Sequence, residues 1–299
     1  MKIGLALGAG AARGWTHIGI IKALEELGIK IDVVAGCSIG AYVGAAYASG
    51  KLEALQEWAF SLSEWQVLSL MGVGIRKGGI ASGQKVFDKL MEDFSAPTFE
   101  SMDLPFGCVA TDLSTGREVI FKKGDVGEPV KASCAIPALF SPVAMDGKWL
   151  VDGAVVNPVP VNLCRQLGAD FVIAVNLNAD FRPQRLVQTR LEHEAANRKT
   201  DDFFSKSQNV LRQWFSPETT AEKNENPPGI FSVMSSALEI LQARVTRSRL
   251  AGDPPDILLE PQLTDVGIME FHRAEDLFEK GKQTVSRIEE QIRYQLLLS

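Results

Sequence analysis

Histidine is scarce in this chain: His17, His193 and His272 are the three in 299 residues, and they lie far apart. The four cysteines, Cys37, Cys108, Cys134 and Cys164, are equally scattered and form no Cys-x-x-Cys pair. Neither residue type offers the ligand spacing of a zinc site, so no metal and no cofactor is expected. The thiols read as reduced, buried side chains of a cytoplasmic protein. Positive charge is in deficit too. With 31 Lys and Arg against 37 Asp and Glu, the formal net charge is −6. That is the opposite of the basic stripe that phosphate-backbone binding demands, so nucleic acid is not expected as a partner. No run reaches the ~20 apolar residues of a membrane-spanning helix. The N-terminus has the outline of a signal peptide, but its apolar run is only as long as a strand, is rich in glycine and ends at Arg13. It reads as the first strand of the fold.

What the chain has is apolar content: 45% hydrophobic residues, enough for one large core. Residues 2–178 alternate β-rich runs with helical patterns, which predicts an α/β fold with a mostly parallel central sheet. Lys2–Leu7 and Ile31–Ala35 read as strands. Between them a glycine-rich turn opens a helix in which Trp15, Ile18, Ile21 and Leu24 share a face, and Gly28 ends it. Ser38–Ser49 reads as a helix of small residues, suited to close packing. Further strands are predicted at Phe106–Thr111, Val119–Lys122 and Phe171–Asn176, and helices at Ser82–Phe94, Val126–Cys134 and Pro160–Leu167. Near 180–230 the chain turns polar, an excursion from the fold rather than a second domain. A helix near Ser232–Leu250, a strand at Ile257–Glu260 and a closing helix follow. Phe271, Ala274, Phe278, Val285, Ile288 and Ile292 form the stripe of that last helix, which packs on the core.

Three short segments carry chemistry. Gly36-Cys37-Ser38-Ile39-Gly40 fits G-x-S-x-G and lies between a strand and a helix. A sharp strand-to-helix turn needs small flanking residues, here Gly36 and Gly40, and presents Ser38 at the helix N-terminus. There the Ile39 amide and the helix dipole favour a developing negative charge. On the pattern alone Ser38 could equally be a helix N-cap; its context favours a nucleophile. The loop Gly8-Ala9-Gly10-Ala11-Ala12-Arg13-Gly14 also joins a strand to a helix. A dinucleotide turn would want glycine at Arg13 and an acid ending the second strand; a Walker loop would want G-K-[ST]. The remaining functional reading is an anion cradle of backbone amides, in which Arg13 orders the loop or adds positive charge. Trp149-Leu150-Val151-Asp152-Gly153-Ala154 places a carboxylate at the end of an apolar strand-like run, and Asn157 follows where it can orient the loop. Asp-Gly is commonly a plain turn. Asp152 becomes a useful base if burial raises its pKa and if it reaches the serine. The histidines are poorer candidates: His17 lies beside the buried stripe of the first helix, His193 in the excursion, and His272 at the start of the closing helix.

Together these residues resemble the patatin-like phospholipase family. Its marks are a glycine-rich oxyanion loop with an arginine, a G-x-S-x-G serine, and an aspartate in D-G-G or D-G-A. All three occur in order, as Gly8–Gly14, Gly36–Gly40 and Asp152-Gly153-Ala154. Arg13–Gly19 resembles the family's first helix. Ala110–Gly116, Ala132–Pro137 and Ala251–Asp256 are similar to its bacterial RssA-type members. Ala9 and Ala11 stand where glycines are common in the loop. The resemblance implies a three-layer α/β/α fold with a catalytic domain over 3–165 that 166–299 continue. It implies a carboxylic ester hydrolase that cleaves fatty-acyl esters of phospholipids or lysophospholipids. Ser38 would be its nucleophile and Asp152 its base, without histidine or metal. Gly8, Ala9, Gly10, Ala11, Arg13 and Ile39 would form the oxyanion hole, with the Gly10, Ala11 and Ile39 amides as donors.

The apolar stretch from Leu52 to Met71 (Trp58, Phe60, Leu62, Trp65, Val67, Leu68, Leu70, Met71) is either core or the lining of an acyl pocket that touches a lipid interface. Contact with the inner membrane face would be peripheral and transient, given the acidic balance. A homo-oligomer is compatible with the sequence. Two other classes remain open: an acyltransferase on a related scaffold, which would want a histidine base, and a regulatory lipid-binding protein of the same fold.

Overall fold

The computed structural model describes residues 1–76, 79–81, 83–180 and 230–297. The polar excursion, with His193, lies outside the described residues.

Strands and helices alternate from the start: β1 (Ile3–Leu7), α1 (Thr16–Glu26), β2 (Val33–Cys37), α2 (Ile39–Ala48), α3 (Leu52–Ser61) and α4 (Glu64–Met71). A short hairpin, β3 (Val73–Arg76) and β4 (Gly79–Ala81), precedes α5 (Gln84–Lys89), β5 (Phe106–Asp112), β6 (Glu118–Phe121) and α6 (Gly127–Ser133). Then come β7 (Ala138–Phe140), β8 (Val143–Met145), β9 (Lys148–Asp152), α7 (Val161–Gln166) and β10 (Phe171–Val175). The helix Ile230–Gly252, β11 (Ile257–Leu259) and the helices Ala274–Ser286 and Glu289–Leu296 complete the chain.

The main sheet runs β11-β10-β1-β2-β5-β9-β8, with β6 on β5. Its first five strands are mutually parallel; β6, β9 and β8 enter antiparallel. Parallel strands must be buried on both faces, and the alternation in β1 shows how. Leu5 and Leu7 join Val34, Ile173 and Val175 under α1 and α2. Ala6 joins Val33, Ala35, Val172 and Ala174 under Val161, Leu163 and Cys164 of α7. The result is the expected α/β/α arrangement with a mostly parallel sheet. Among the described residues no helix is long and apolar enough to cross a membrane.

Three helical predictions change in detail. The Leu52–Met71 stretch is two helices, because Ser63 closes a capping box with Gln66 and starts α4 afresh. The predicted helix Ser82–Phe94 is α5 followed by a wider π-turn at Leu90–Phe94. The closing stripe is broken at Ile288, which leaves helical geometry at φ −123° and ψ 21°. Neither glycine nor proline marks that break. The short strands β3, β4, β7 and β8 went unpredicted, since three or four residues carry no readable alternation.

Helix Ala274–Ser286 packs across α1 at a glycine contact. A Cβ on Gly19 would sit 1.9 Å from the Phe278 carbonyl oxygen, and one on Gly281 2.4 Å from that of Thr16. Both opposing atoms are backbone, so the helices would have to separate. Gly19→Ala is expected to cost about 3 kcal/mol of unfolding free energy in urea titration. Gly252→Ala, where a Cβ meets nothing within 4 Å, is the control and should change stability by less than about 1 kcal/mol.

Candidate active site

Two strands meet on one edge of β5. β2 runs parallel to it and pairs Cys37 with Val109 before the chain leaves the sheet into α2. β9 comes the other way and ends with Asp152 opposite Ala110, the next residue of β5. β6 takes the opposite edge, pairing with both Val109 and Ala110. Ser38, the residue after Cys37, and Asp152 are therefore thrown together at the junction, although 114 positions separate them. The Ser38 Oγ donates to Asp152 Oδ2 at 2.6 Å.

The turn at Ser38 is strained, as the sharp strand-to-helix turn expected there requires. Ser38 has φ 55° and ψ −127°, a region that favours glycine. Space is the reason for its flanking glycines: a Cβ on Gly36 would lie 2.4 Å from the Gly40 oxygen, and one on Gly40 2.1 Å from that of Leu7. The Ser38 amide is held by Ser133 Oγ at 2.9 Å. At the other end, Asp152 Oδ1 accepts from the Ala154 amide at 2.8 Å, its carbonyl accepts from Thr111 Oγ1 at 2.9 Å, and Gly153 lets the chain turn tightly over Val109. Ser133 and Thr111 are positional residues that motif reading missed. Both lie within the segments Ala110–Gly116 and Ala132–Pro137 on which the resemblance rests, and that is the signal that could have found them. Asn157 does not touch the pair; its side chain donates to Glu118 at 2.6 Å and to Asn162 at 2.8 Å.

Asp152 is 1% exposed. Burial raises its pKa from 3.8 to about 7, against the two hydrogen bonds from Ser38 and Ala154 that favour the carboxylate. A carboxylate of that basicity can share a proton with a serine hydroxyl. His17 is unsuited to the task. It is wholly buried, burial lowers its pKa to about 4, and Nε2–H donates to the Gly8 carbonyl at 2.8 Å, so the neutral ring holds the glycine loop. His272 lies 3.6 Å from Glu64.

Within the loop the amides divide into two groups. Gly8 donates to the Val175 carbonyl and Ala9 to that of Pro158, at 3.1 and 2.9 Å, so these two fix the loop to β10 and to the chain before α7. Among the described residues the amides of Gly10, Ala11 and Ile39 donate to no carbonyl or side chain. Arg13 is buried; its guanidinium donates to the Val266 carbonyl at 3.0 Å and to Asn178 Oδ1 at 3.1 Å. It thus ties the loop to later parts of the chain.

An apolar cavity of about 690 Å³, its open mouth included, reaches Ser38, Ile39 and Ala11. Trp15, Tyr42, Phe87, Leu139, Phe140 and Phe271 are among its walls, and Trp58, Leu62, Val67 and Leu70 supply the contribution from α3 to α4. Phe60 packs instead on Phe278, and Trp65 is exposed. Tyr42 spends its hydroxyl on the Val86 carbonyl, so the chamber presents few polar groups besides Ser38. Among the described residues no group of three or more His, Cys, Asp or Glu is placed to hold a metal ion.

The raised pKa of Asp152 also has a stability consequence. A buried acid that holds its proton more tightly when folded stabilises the fold fully below the unfolded value near 3.8. That contribution is lost as the pH rises through about 7. Relative to Asp152→Asn, which does not titrate, the wild type should lose stability between pH 4 and 8, by up to ~4 kcal/mol. Urea unfolding of both proteins across that range measures the gap. A gap that is constant with pH contradicts the burial.

The sequence has relatives among known proteins. A family model described as Patatin-like phospholipase matches residues 5–165. The chain is 31% identical to an uncharacterized NTE family protein of Mycobacterium tuberculosis, over 94% of this chain and 89% of that one. It is 27% identical to lysophospholipase nte1 of Aspergillus fumigatus and 29% to lysophospholipase NTE1 of Pyricularia oryzae. These matches cover 93% and 94% of this chain but 18% of each relative. The solved structure of VipD from Legionella pneumophila aligns at a TM-score of 0.39 and 14% identity, covering 99% of this chain and 76% of VipD. With more than half of its length matched by the family model and a relative of 31% identity aligned nearly end to end, the chain belongs to the patatin-like phospholipase family.

Proposed function

We propose that the protein is a serine acyl hydrolase that cleaves fatty-acyl esters of phospholipids or lysophospholipids through a Ser38–Asp152 dyad. The observation that carries this reading is the 2.6 Å bond from Ser38 Oγ to Asp152, set at an apolar chamber fit for an acyl chain. In the first step Asp152 takes the Ser38 proton as Oγ attacks the ester carbonyl. The tetrahedral oxyanion is held by the amides of Gly10, Ala11 and Ile39, and its collapse expels the alcohol, to which the protonated Asp152 returns the proton. In the second step Asp152 accepts a proton from water as it attacks the acyl-enzyme; fatty acid leaves and Ser38 recovers its proton. Electrons and protons balance without metal or cofactor.

Lysophospholipids are the preferred class in this reading, because the named relatives of Aspergillus and Pyricularia are lysophospholipases. The bacterial RssA-type likeness belongs to the same proposal, as does the view that residues 166–299 continue the catalytic unit begun by 3–165. Substrate access from the inner membrane face fits the exposed Trp65 on α4, the helix whose Val67 and Leu70 line the chamber. A homo-oligomer is neither required nor opposed by this reading. An acyltransferase would want a histidine base; among the described residues His17 is occupied with Gly8 and His272 stands beside Glu64.

A fluorophosphonate probe is expected to label the wild type and to leave Ser38→Ala unlabelled. Lysophosphatidylcholine turnover should fall at least ~10³-fold in Ser38→Ala and in Asp152→Asn. His272→Asn should retain turnover. Equal labelling of Ser38→Ala, or loss of turnover in His272→Asn without unfolding, overturns the dyad.

A further inference from the structure

The glycine loop is in a conformation that its own sequence does not favour. Ala11, which is not glycine, has φ 50°, and a left-handed alanine persists only where its surroundings hold it. Its neighbours on both sides are anchored. The Ala12 amide donates to the Ile268 carbonyl at 3.0 Å, His17 holds the Gly8 carbonyl, and the Ala9 carbonyl accepts from Asn178 Nδ2 at 3.2 Å. Of these anchors, Asn178 alone is a side chain from outside residues 5–165, beyond the segment that the family model matches.

Asn178 is connected at both ends of its amide. Nδ2 donates to Ala9, and Oδ1 accepts from Arg13 Nη1 at 3.1 Å. Its own backbone amide donates to Asn176 Oδ1 at 3.2 Å, and the Asn176 amide donates to the Leu259 carbonyl on β11 at 3.0 Å. Arg13, at 3% exposure, makes its other hydrogen bond to the neutral Val266 carbonyl, and among the described residues no carboxylate pairs with it. Asn178 therefore joins the carbonyl side of the loop, a buried positive charge and the edge of the sheet in one path. What lies between the Ala9 and Ala12 anchors is the Gly10–Ala11 unit, whose amides donate to nothing among the described residues.

We propose that Asn178 is a positioning residue of the hydrolase: by holding the Ala9 carbonyl and the Arg13 guanidinium together, it aims the Gly10 and Ala11 amides at the reaction oxyanion. This inference rests on the proposed hydrolase reading. Asn178 need not touch substrate. It acts on the transition state alone, because the ester in its ground state does not need the oxyanion donors at full strength. Its removal should lower kcat and leave KM nearly unchanged.

Two variants separate this from mere packing. Asn178→Ala removes both bonds. Asn178→Asp keeps an acceptor for Arg13, and charges it, but cannot donate to Ala9, so the fold keeps its anchor while the loop loses its restraint. With a short-chain p-nitrophenyl ester, both variants should lose roughly 10- to 100-fold in kcat, with KM within about threefold of wild type. The thermal midpoint of Asn178→Asp should stay close to that of the wild type. Wild-type kcat in Asn178→Asp overturns the positioning role. So does a loss that falls on KM instead. If Asn178→Ala does not fold, Asn178→Asp still decides. A wild type that hydrolyses no ester and takes no fluorophosphonate would instead sink the hydrolase reading, and this inference with it.

Discussion

β5 lends one edge to two strands that approach from opposite ends: β2 pairs with its first half up to Val109, and β9 with its second half from Ala110. Neither strand can advance further, because the other occupies the next position. Each must turn out of the sheet at the junction, and the residues at the two turns are Ser38 and Asp152. The tight packing around them follows from this constraint. Gly36, Gly40 and Gly153 are needed because two chains leave the same place through backbone on all sides. Thr111 and Ser133 then fix the two turns by hydrogen bonds from the flanking strand and helix.

The same junction sets the electrostatics. A carboxylate at a strand end would ordinarily lie in water with a pKa near 4. Here the sheet and α6 cover it, and desolvation outweighs the two hydrogen bonds it accepts. Desolvation wins because the two bonds replace only part of the hydration that the buried charge has lost. The serine in turn loses solvent on the apolar side, where the cavity walls are Trp15, Tyr42 and Phe140. The proposed base and nucleophile are thus both consequences of one strand junction. The loop from Gly8 to Arg13 is the separate part, held by His17 and otherwise by the C-terminal half of the chain.

Much of this was legible before the structure. The strand-turn-helix context of Gly36–Gly40 and the apolar run into Asp152 are local patterns, and local patterns are what a sequence displays. The parallel strands β1, β2, β5 and β10 were likewise visible as short, largely apolar runs between helical patterns. What stayed hidden was non-local. That β9 runs antiparallel and ends opposite Ala110 depends on pairing over long separations, not on its own residues. Asn157, close to Asp152 in sequence, faces Glu118 and Asn162 instead; Asn178, far from the loop in sequence, holds it. Breaks at Ser63 and Ile288 escaped the reading because the apolar periodicity runs on across them.

The central claim is that a buried aspartate, without histidine, is the base of the reaction. The pH dependence of kcat/KM for a water-soluble ester tests it most directly. A single rising limb with its midpoint near 7 is predicted, since Asp152 must be ionised to accept the Ser38 proton. That limb should be absent from the residual activity of Asp152→Asn. A limb centred near 4, as an exposed carboxylate would give, or one near 7 that survives in Asp152→Asn, would contradict the account.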